Sequence, residues 1–251
     1  MKPISSSTLF HFTDKLDKLL SILANGFYPK YNLETVDFDN PDETRTAFPM
    51  VCFCDIPLSQ AAAHLEVYGK FGIGLTKEWG AQNGITPVLY TYQGSRLLLN
   101  LSTVFMDLQD RTPRKSPEFF TSLENIQNIY AHIKPYDGTF THRGKKHRKV
   151  RFYDEREWRY VPDPIIEEFP SFVNETMFMM KPYLRSLESR LESERSLQFD
   201  PQDVKYLVVQ KDSQIFTLAN EINRHYKIHS KKERAILSTK IISTERILDD
   251  F

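Results

Sequence analysis

Residues 9–27 read "LFHFTDKLDKLLSILANGF", and the change of period within this stretch decides the fold class. Leu16, Leu19, Leu20 and Leu23 recur at helical spacing, Thr13 or Asp14 can cap the first turn, and Asn25-Gly26 supplies the stop. The residues just before the cap alternate instead. A strand over residues 9–12 sends Leu9 and His11 to one face and Phe10 and Phe12 to the other. His11 then stands at a strand end facing a helix start. There it is either a ligand-binding group or a core histidine hydrogen-bonded to the backbone.

Working outward, residues 28–48 are acidic, turn-rich and aperiodic, which predicts a long loop. "PMVCFCDIP" (49–57) predicts a strand with Met50, Cys52 and Cys54 on one face and Val51, Phe53 and Asp55 on the other. "SQAAAHLEVYG" (59–69) predicts a short helix ending at Gly69, and "FGIGLT" (71–76) and "PVLYTY" (87–92) two further strands around "KEWGAQNG". Two helices are expected at roughly 95–109 and 118–133, separated by Pro113 and Pro117. Beyond them, 175–199 is helical and charged, "DVKYLVVQ" (203–210) is a buried-type strand and "DSQIFTLANEINRHY" (212–226) a helix. "STKIIST" and "ERILDDF" close the chain as strand and helix. Short strands in irregular order with helices indicate α+β: a mixed, mostly antiparallel sheet with inserted helices. No repeat or linker divides the chain, so residues 1–251 are expected to form a single domain with a helical insertion at about 95–135.

Composition narrows the function classes. Lys+Arg and Asp+Glu balance at 33 each, so attraction of a polyanion must be local rather than a property of the whole molecule. No run of 18 apolar residues exists and "MKPISSST" lacks the apolar centre of a signal peptide, which points to a cytoplasmic protein with no membrane partner. Cys52 and Cys54, two apart in one strand, are expected to be reduced thiols. Cys52, Cys54, His64, His142 and His147 lack the spacing of a common metal site, so no metal is expected. "GIG" (72–74) lacks the pattern of a phosphate loop and reads as small residues in a strand. His64 and Tyr68, four apart, share a helix face.

Two segments carry the chemistry. Residues 138–151, "GTFTHRGKKHRKVR", hold Arg143, Lys145, Lys146, Arg148, Lys149 and Arg151 with no acidic residue, and Tyr136, Phe140, Phe152 and Tyr153 flank them. Such density suits nucleic-acid backbone contact with bases stacked on the aromatics, or else a solvated loop. Directly after it, "FYDEREWRYVP" alternates as a strand that places Glu155, Glu157 and Arg159 on one face and Arg156, Trp158 and Tyr160 on the other. Two carboxylates on one face repel unless cations or a ligand offset them.

An early-strand histidine followed by a threonine, a central aromatic and a late Glu-x-Glu resemble the His-aromatic-Glu arrangement of mono-ADP-ribosyltransferases. That resemblance implies an ADP-ribosyltransferase-like sheet core and NAD as cofactor. It makes Glu157 the catalytic carboxylate that stabilises an oxocarbenium-like ribose, and Glu155 the group that orients or deprotonates the acceptor. It also makes His11 and Thr13 ribose-binding residues and lays Phe53, or alternatively Tyr68, on the nicotinamide. A Ser-Thr-Ser type central motif is missing. Separately, "LFHFT", "VCFCDIPLS", "H...YGKFGIGLTKEWG", "F.DEREWRY", "DVKYLVV" and "TKIISTERILDDF" together are similar to the AbiGi group of abortive-infection, phage-resistance proteins, over nearly the whole chain. Two functions follow as expectations: an NAD-dependent transferase in phage defence with a nucleic-acid or protein acceptor, or a non-catalytic antitoxin that restrains a nucleotidyltransferase-like toxin.

Overall fold

Alternation carries β1 (Thr8–Thr13) straight into α1 (Leu16–Asn25), whose Leu19 and Leu23 are buried and which ends where Gly26 adopts φ 76°. The computed structural model describes residues 5–35, 45–92, 94–111, 116–142, 145–163, 169–225 and 230–250, with 111, 140–142, 145–147, 225 and 250 described by backbone alone. The chain continues through β2 (Lys30–Thr35), β3 (Arg45–Cys54), α2 (Ala62–Tyr68), β4 (Phe71–Thr76), α3 (Lys77–Gln82), β5 (Thr86–Pro87) and β6 (Leu89–Thr91). The helical pair follows as α4 (Arg96–Arg111) and α5 (Pro117–Ala131), the latter capped by the Ser116 hydroxyl accepting from the Phe119 N–H. Then come β7 (Ile133–Pro135), β8 (Gly138–His142), β9 (Lys145–Val150), β10 (Glu157–Tyr160), β11 (Val173–Asn174), α6 (Glu175–Met179) and α7 (Lys181–Glu194). The C-terminal part adds β12 (Val204–Val209), α8 (Ser213–His225), α9 (Lys231–Thr239), β13 (Ile241–Ser243) and α10 (Thr244–Asp250).

These elements build the expected α+β fold around a mostly antiparallel sheet in the order β13-β12-β4-β1-β3-β10-β5, with only β12–β13 parallel. Two expectations are corrected. Residues 28–48 are not one long loop: Lys30–Thr35 pairs along the first half of β3, from Lys30 opposite Met50 to Thr35 opposite Arg45. Only Tyr31 of that strand is deeply buried, so no alternation marks it. The strand expected over the whole of "FYDEREWRY" begins only at Glu157, because Phe152–Glu155 is a 3-10 turn and Arg156 has the left-handed φ of 43°.

The sheet has two differently furnished faces. On one, Leu9, Val51, Phe53, Ile73, Leu75, Leu207 and Val209 pack against Leu19, Leu23, Trp79, Leu218, Ile222 and Leu237 of α1, α3, α8 and α9. On the other, Phe10, Phe12, Cys54 and Val208 meet Leu65 of α2 and Ile247 of α10. Phe10 and Phe12 stack with ring centroids 5.5 Å apart over Gly74 and Gly72. A Cβ at Gly72 would lie 2.6 Å from Phe12, and one at Gly74 2.6 Å from Phe10, so "GIG" is room for two rings rather than a phosphate cradle. Leu98 of α4 packs with Ile133 of β7, with Leu101 of α4 and Tyr130 of α5 against them, while Leu97, Leu99, Val104, Met106, Phe120 and Ile129 stay exposed. Among the described residues no helix is long and apolar enough to cross a membrane.

Candidate functional site

Strand register decides which side chains can meet. Glu157 stands opposite Cys54 and Arg159 opposite Cys52, so both lie on the α2 and α10 face, while Trp158 and Tyr160 pack against the other core. Glu155 is not on β10. The left-handed Arg156 turns the chain so that the Glu155 carboxylate swings back toward Glu157, and both are held by one cation. Lys134 of β7 donates to Glu155 Oε2 at 2.6 Å and also to Glu157 Oε2. Lys134 arrives there because β7 pairs with β6, which sets Tyr90 opposite Lys134, and the Tyr90 hydroxyl accepts the Glu157 backbone N–H at 2.8 Å.

The remaining Glu157 oxygen, Oε1, accepts from Arg159 Nε at 2.6 Å. Arg159 has no solvent exposure, and it donates as well to the Ala131 carbonyl at 2.6 Å and to Glu34 Oε1 at 3.0 Å. Tyr68 donates to Glu155 Oε1 at 2.7 Å. The result is a buried network of three carboxylates and two cations joining β2, the end of α5, β7, the 3-10 turn and β10. Burial alone would raise the Glu157 carboxyl, but Arg159 and Lys134 outweigh it and hold that group well below the usual carboxylate range. Burial likewise opposes the charge on Lys134 and Arg159, yet Glu157 and its neighbouring carboxylates drive both cations above their ordinary values. Burial and the Glu157 charge push the Cys52 thiol up, so it is a neutral packing group.

Of the residues expected to form one cleft, the structure brings together Glu155, Glu157 and Tyr68, and it does not bring His11, Thr13 or Phe53 to them. The expected convergence is therefore corrected. Phe10 is opposite Cys54, so His11 and Phe53 project from the far side of the sheet. Phe53 is 2% exposed and packs edge-on to Phe27 and Trp79 at 5.2 and 5.7 Å. His11 rests against Phe27 and Phe53, and its Nδ1 donates to the Cys52 carbonyl at 2.9 Å. β1 and β3 form a single residue pair, Phe10 with Cys54, and β2 takes over only from Met50. The imidazole N–H thus serves a β3 carbonyl in the gap between two pairing strands, and burial lowers the His11 pKa so that the ring stays neutral. Thr13 is buried at the end of β1, its hydroxyl 3.4 Å from Asp14 Oδ1.

Tyr68 and His64 make the expected contact, with rings 4.3 Å apart, and burial lowers the His64 pKa to about 4. Of the basic residues, Arg143 lies outside the described residues, Lys145 and Lys146 are placed in β9 by backbone alone, and Arg148 and Lys149 are exposed. Among the described residues no group of three or more His, Cys, Asp or Glu side chains is arranged to hold a metal ion. Sequence reasoning missed Lys134, Tyr90 and Glu34. Lys134 and Tyr90 lie in three-residue strands and Glu34 in a strand that shows no alternation, and only the pairing of β6 with β7 and of β2 with β3 delivers them to the site.

Comparison with known proteins gives a consistent result. Residues 25–210 match the family model described as "Putative abortive phage resistance protein AbiGi, antitoxin". The chain is 31% identical over 248 residues to the abortive phage resistance protein AbiGi of Lactococcus lactis subsp. cremoris, covering 90% of this chain and 100% of that relative. No solved structure matches.

Proposed function

Because the chain belongs to the AbiGi family of abortive phage resistance proteins, we propose that it acts in phage defence as a non-catalytic antitoxin, a binding protein that restrains a toxin. One observation carries this reading beyond the family. Glu157, the carboxylate an ADP-ribosyl transfer would need, is 6% exposed with one oxygen bonded to Arg159 and the other to Lys134. A carboxylate so buried has its charge already balanced by two cations, and stabilising a sugar cation would mean weakening charge-assisted bonds that hold those cations in place. The toxin would be of the nucleotidyltransferase-like class that the family resemblance implies.

The test is growth of a bacterial host expressing this chain alone, a nucleotidyltransferase-like toxin from the same genome alone, or both. Arrest by the toxin and relief by co-expression support restraint. Arrest by this chain alone overturns it. A second reading, an NAD-dependent ADP-ribosyltransferase, draws support from the meeting of Glu155, Glu157 and Tyr68 at one place. Release of nicotinamide from NAD by the purified wild-type protein would favour that reading over the first.

A further inference from the structure

The sheet network leaves unexplained a second feature, the β8–β9 arm. Among the described residues its two strands pair only with each other, and the segment 138–151 carries six Lys and Arg residues and no Asp or Glu. The arm is not a regular hairpin. Gly138 faces Val150 and Phe140 faces His147, so β9 holds one more residue than β8 over that interval. This bulge coincides with Lys149, which has the left-handed φ of 56°. Such a conformation costs a non-glycine residue about 1 kcal/mol or more, and bulges serve to re-aim side chains. Lys149 and Arg151 both border one open groove with Gly138 and Thr139, and the acidic residues there are Asp137 and Asp154. Arg151 is 3.9 Å from Asp154 with both side chains well exposed, a weak pairing that water and salt screen.

Beside the arm stands a ladder of aromatic rings. Tyr92 stacks on Tyr136 with centroids 4.6 Å apart, and Tyr136 stacks on Tyr153 at 5.3 Å. Tyr136 is tied to the β6 end through its N–H to the Thr91 carbonyl, and its own carbonyl accepts from the Tyr153 N–H. Tyr92 is 60% exposed and Tyr153 50% exposed. Near-parallel tyrosines left open to solvent gain little as core. They are a rigid set of flat surfaces at the foot of a cationic arm.

We propose that the β8–β9 arm and the Tyr92–Tyr136–Tyr153 ladder form a binding surface for single-stranded nucleic acid, with Arg148, Lys149 and Arg151 along the phosphates and bases stacked on the outer tyrosines. The ladder separates this from docking of an acidic protein, for which cations suffice, and from duplex binding, in which base faces are not available to stack. The surface uses none of the groups bonded in the Glu157 network. It therefore stands independently of the antitoxin reading.

The test is fluorescence anisotropy with labelled single-stranded RNA and DNA of about 16 nucleotides, the upper end of a single binding module's site size, alongside the matching duplex and poly-glutamate, across a salt series. The expected result is preference for single strands and a steep salt dependence. Replacing Arg148, Lys149 and Arg151 by Ala should weaken binding at least tenfold at low salt and flatten the log–log salt slope by up to about 2, at about 0.7 for each phosphate no longer neutralised. Tyr92→Leu should weaken binding by about tenfold with the salt slope unchanged, and Tyr92→Phe should restore it. Each variant is compared after its thermal midpoint is shown to equal that of the wild type. Absence of single-strand binding at about 50 mM salt overturns the proposal. So does equal binding of duplex with Tyr92→Leu silent, or binding of poly-glutamate in place of the oligonucleotides.

Discussion

Replacing Glu157 by Gln keeps the shape of the side chain and removes its charge, which makes it the sharpest probe of the buried network. The native carboxylate accepts from Arg159 at 2.6 Å and from Lys134 on its other oxygen. A Gln retains one acceptor and turns its amide N–H2, a donor, against the second cation. One charge-assisted bond, worth about 1.5–3 kcal/mol, is lost, and Arg159 is left buried with only Glu34 to balance it. Removing one partner of a buried pair costs about 3–5 kcal/mol, and the retained acceptor places Gln near the lower end, at about 3 kcal/mol. At about 2–4 °C per kcal/mol for a domain of this size, the midpoint should fall by about 6–12 °C. Differential scanning calorimetry at neutral pH reads this directly. Nicotinamide release from NAD, measured on the same samples below the midpoint of the variant, should be absent from both proteins. A midpoint within 1 °C of wild type, about the shift of a minor surface change, would refute the view that Glu157 is chiefly a structural anion.

Three further outcomes follow from individual contacts. Acid should destabilise the protein in two stages. With the His64 pKa lowered from 6.5 to about 4, the unfolded chain takes up that proton first, so stability falls between those values and is flat below. Glu157, held below its ordinary 4.5, contributes stability that is present above that value and lost as pH falls past it. Denaturant midpoints against pH should show His64→Phe shrinking the first stage, to which the lowered His11 pKa also contributes, and leaving the second unchanged. His11→Leu should cost about 1–3 kcal/mol by urea titration because it leaves the Cys52 carbonyl unpaired, and His11→Asn, whose amide N–H2 can stand in for Nδ1–H, should recover part of that. Gly74→Ala should cost about 1–3 kcal/mol in the same assay, since its Cβ would meet the Phe10 ring at 2.6 Å.

Local alternation made the two faces of the sheet legible. "LFHF" and "VCFC" sort their residues as the structure does, and the cross-strand pair Phe10–Cys54 then fixes which side each set occupies. The backbone-bonded histidine among the alternatives for His11 could be read from its neighbours, but the carbonyl it serves could not, since Cys52 is 41 residues away. Glu155 and Glu157 were legible as partners for the wrong geometric reason. Continuous alternation in "FYDEREWRY" conceals the left-handed Arg156, a conformation that arginine does not advertise. α9 was invisible between "NRHY" and "STK" because Leu237 is its one buried residue. Lys134 required knowledge of a parallel pairing between β6 and β7, whose intervening 41 residues include both long helices.

β3 pairs with β1, β2, β10 and β11 along its ten residues. Synthesis delivers β1 and β2 first, whereas β10 and β11 lie about a hundred residues further on. At about 5–20 residues per second, one edge of this apolar strand emerges from the ribosome and waits on the order of 5–20 s for its partner. An unpaired edge rich in Phe, Met, Val and Cys is a template for pairing with other nascent chains. Premature termination within the α4–α5 or β8–β9 segments would make that exposure permanent. Fragments ending before Glu157 should therefore be captured by chaperones or aggregate, rather than persist as a smaller folded unit.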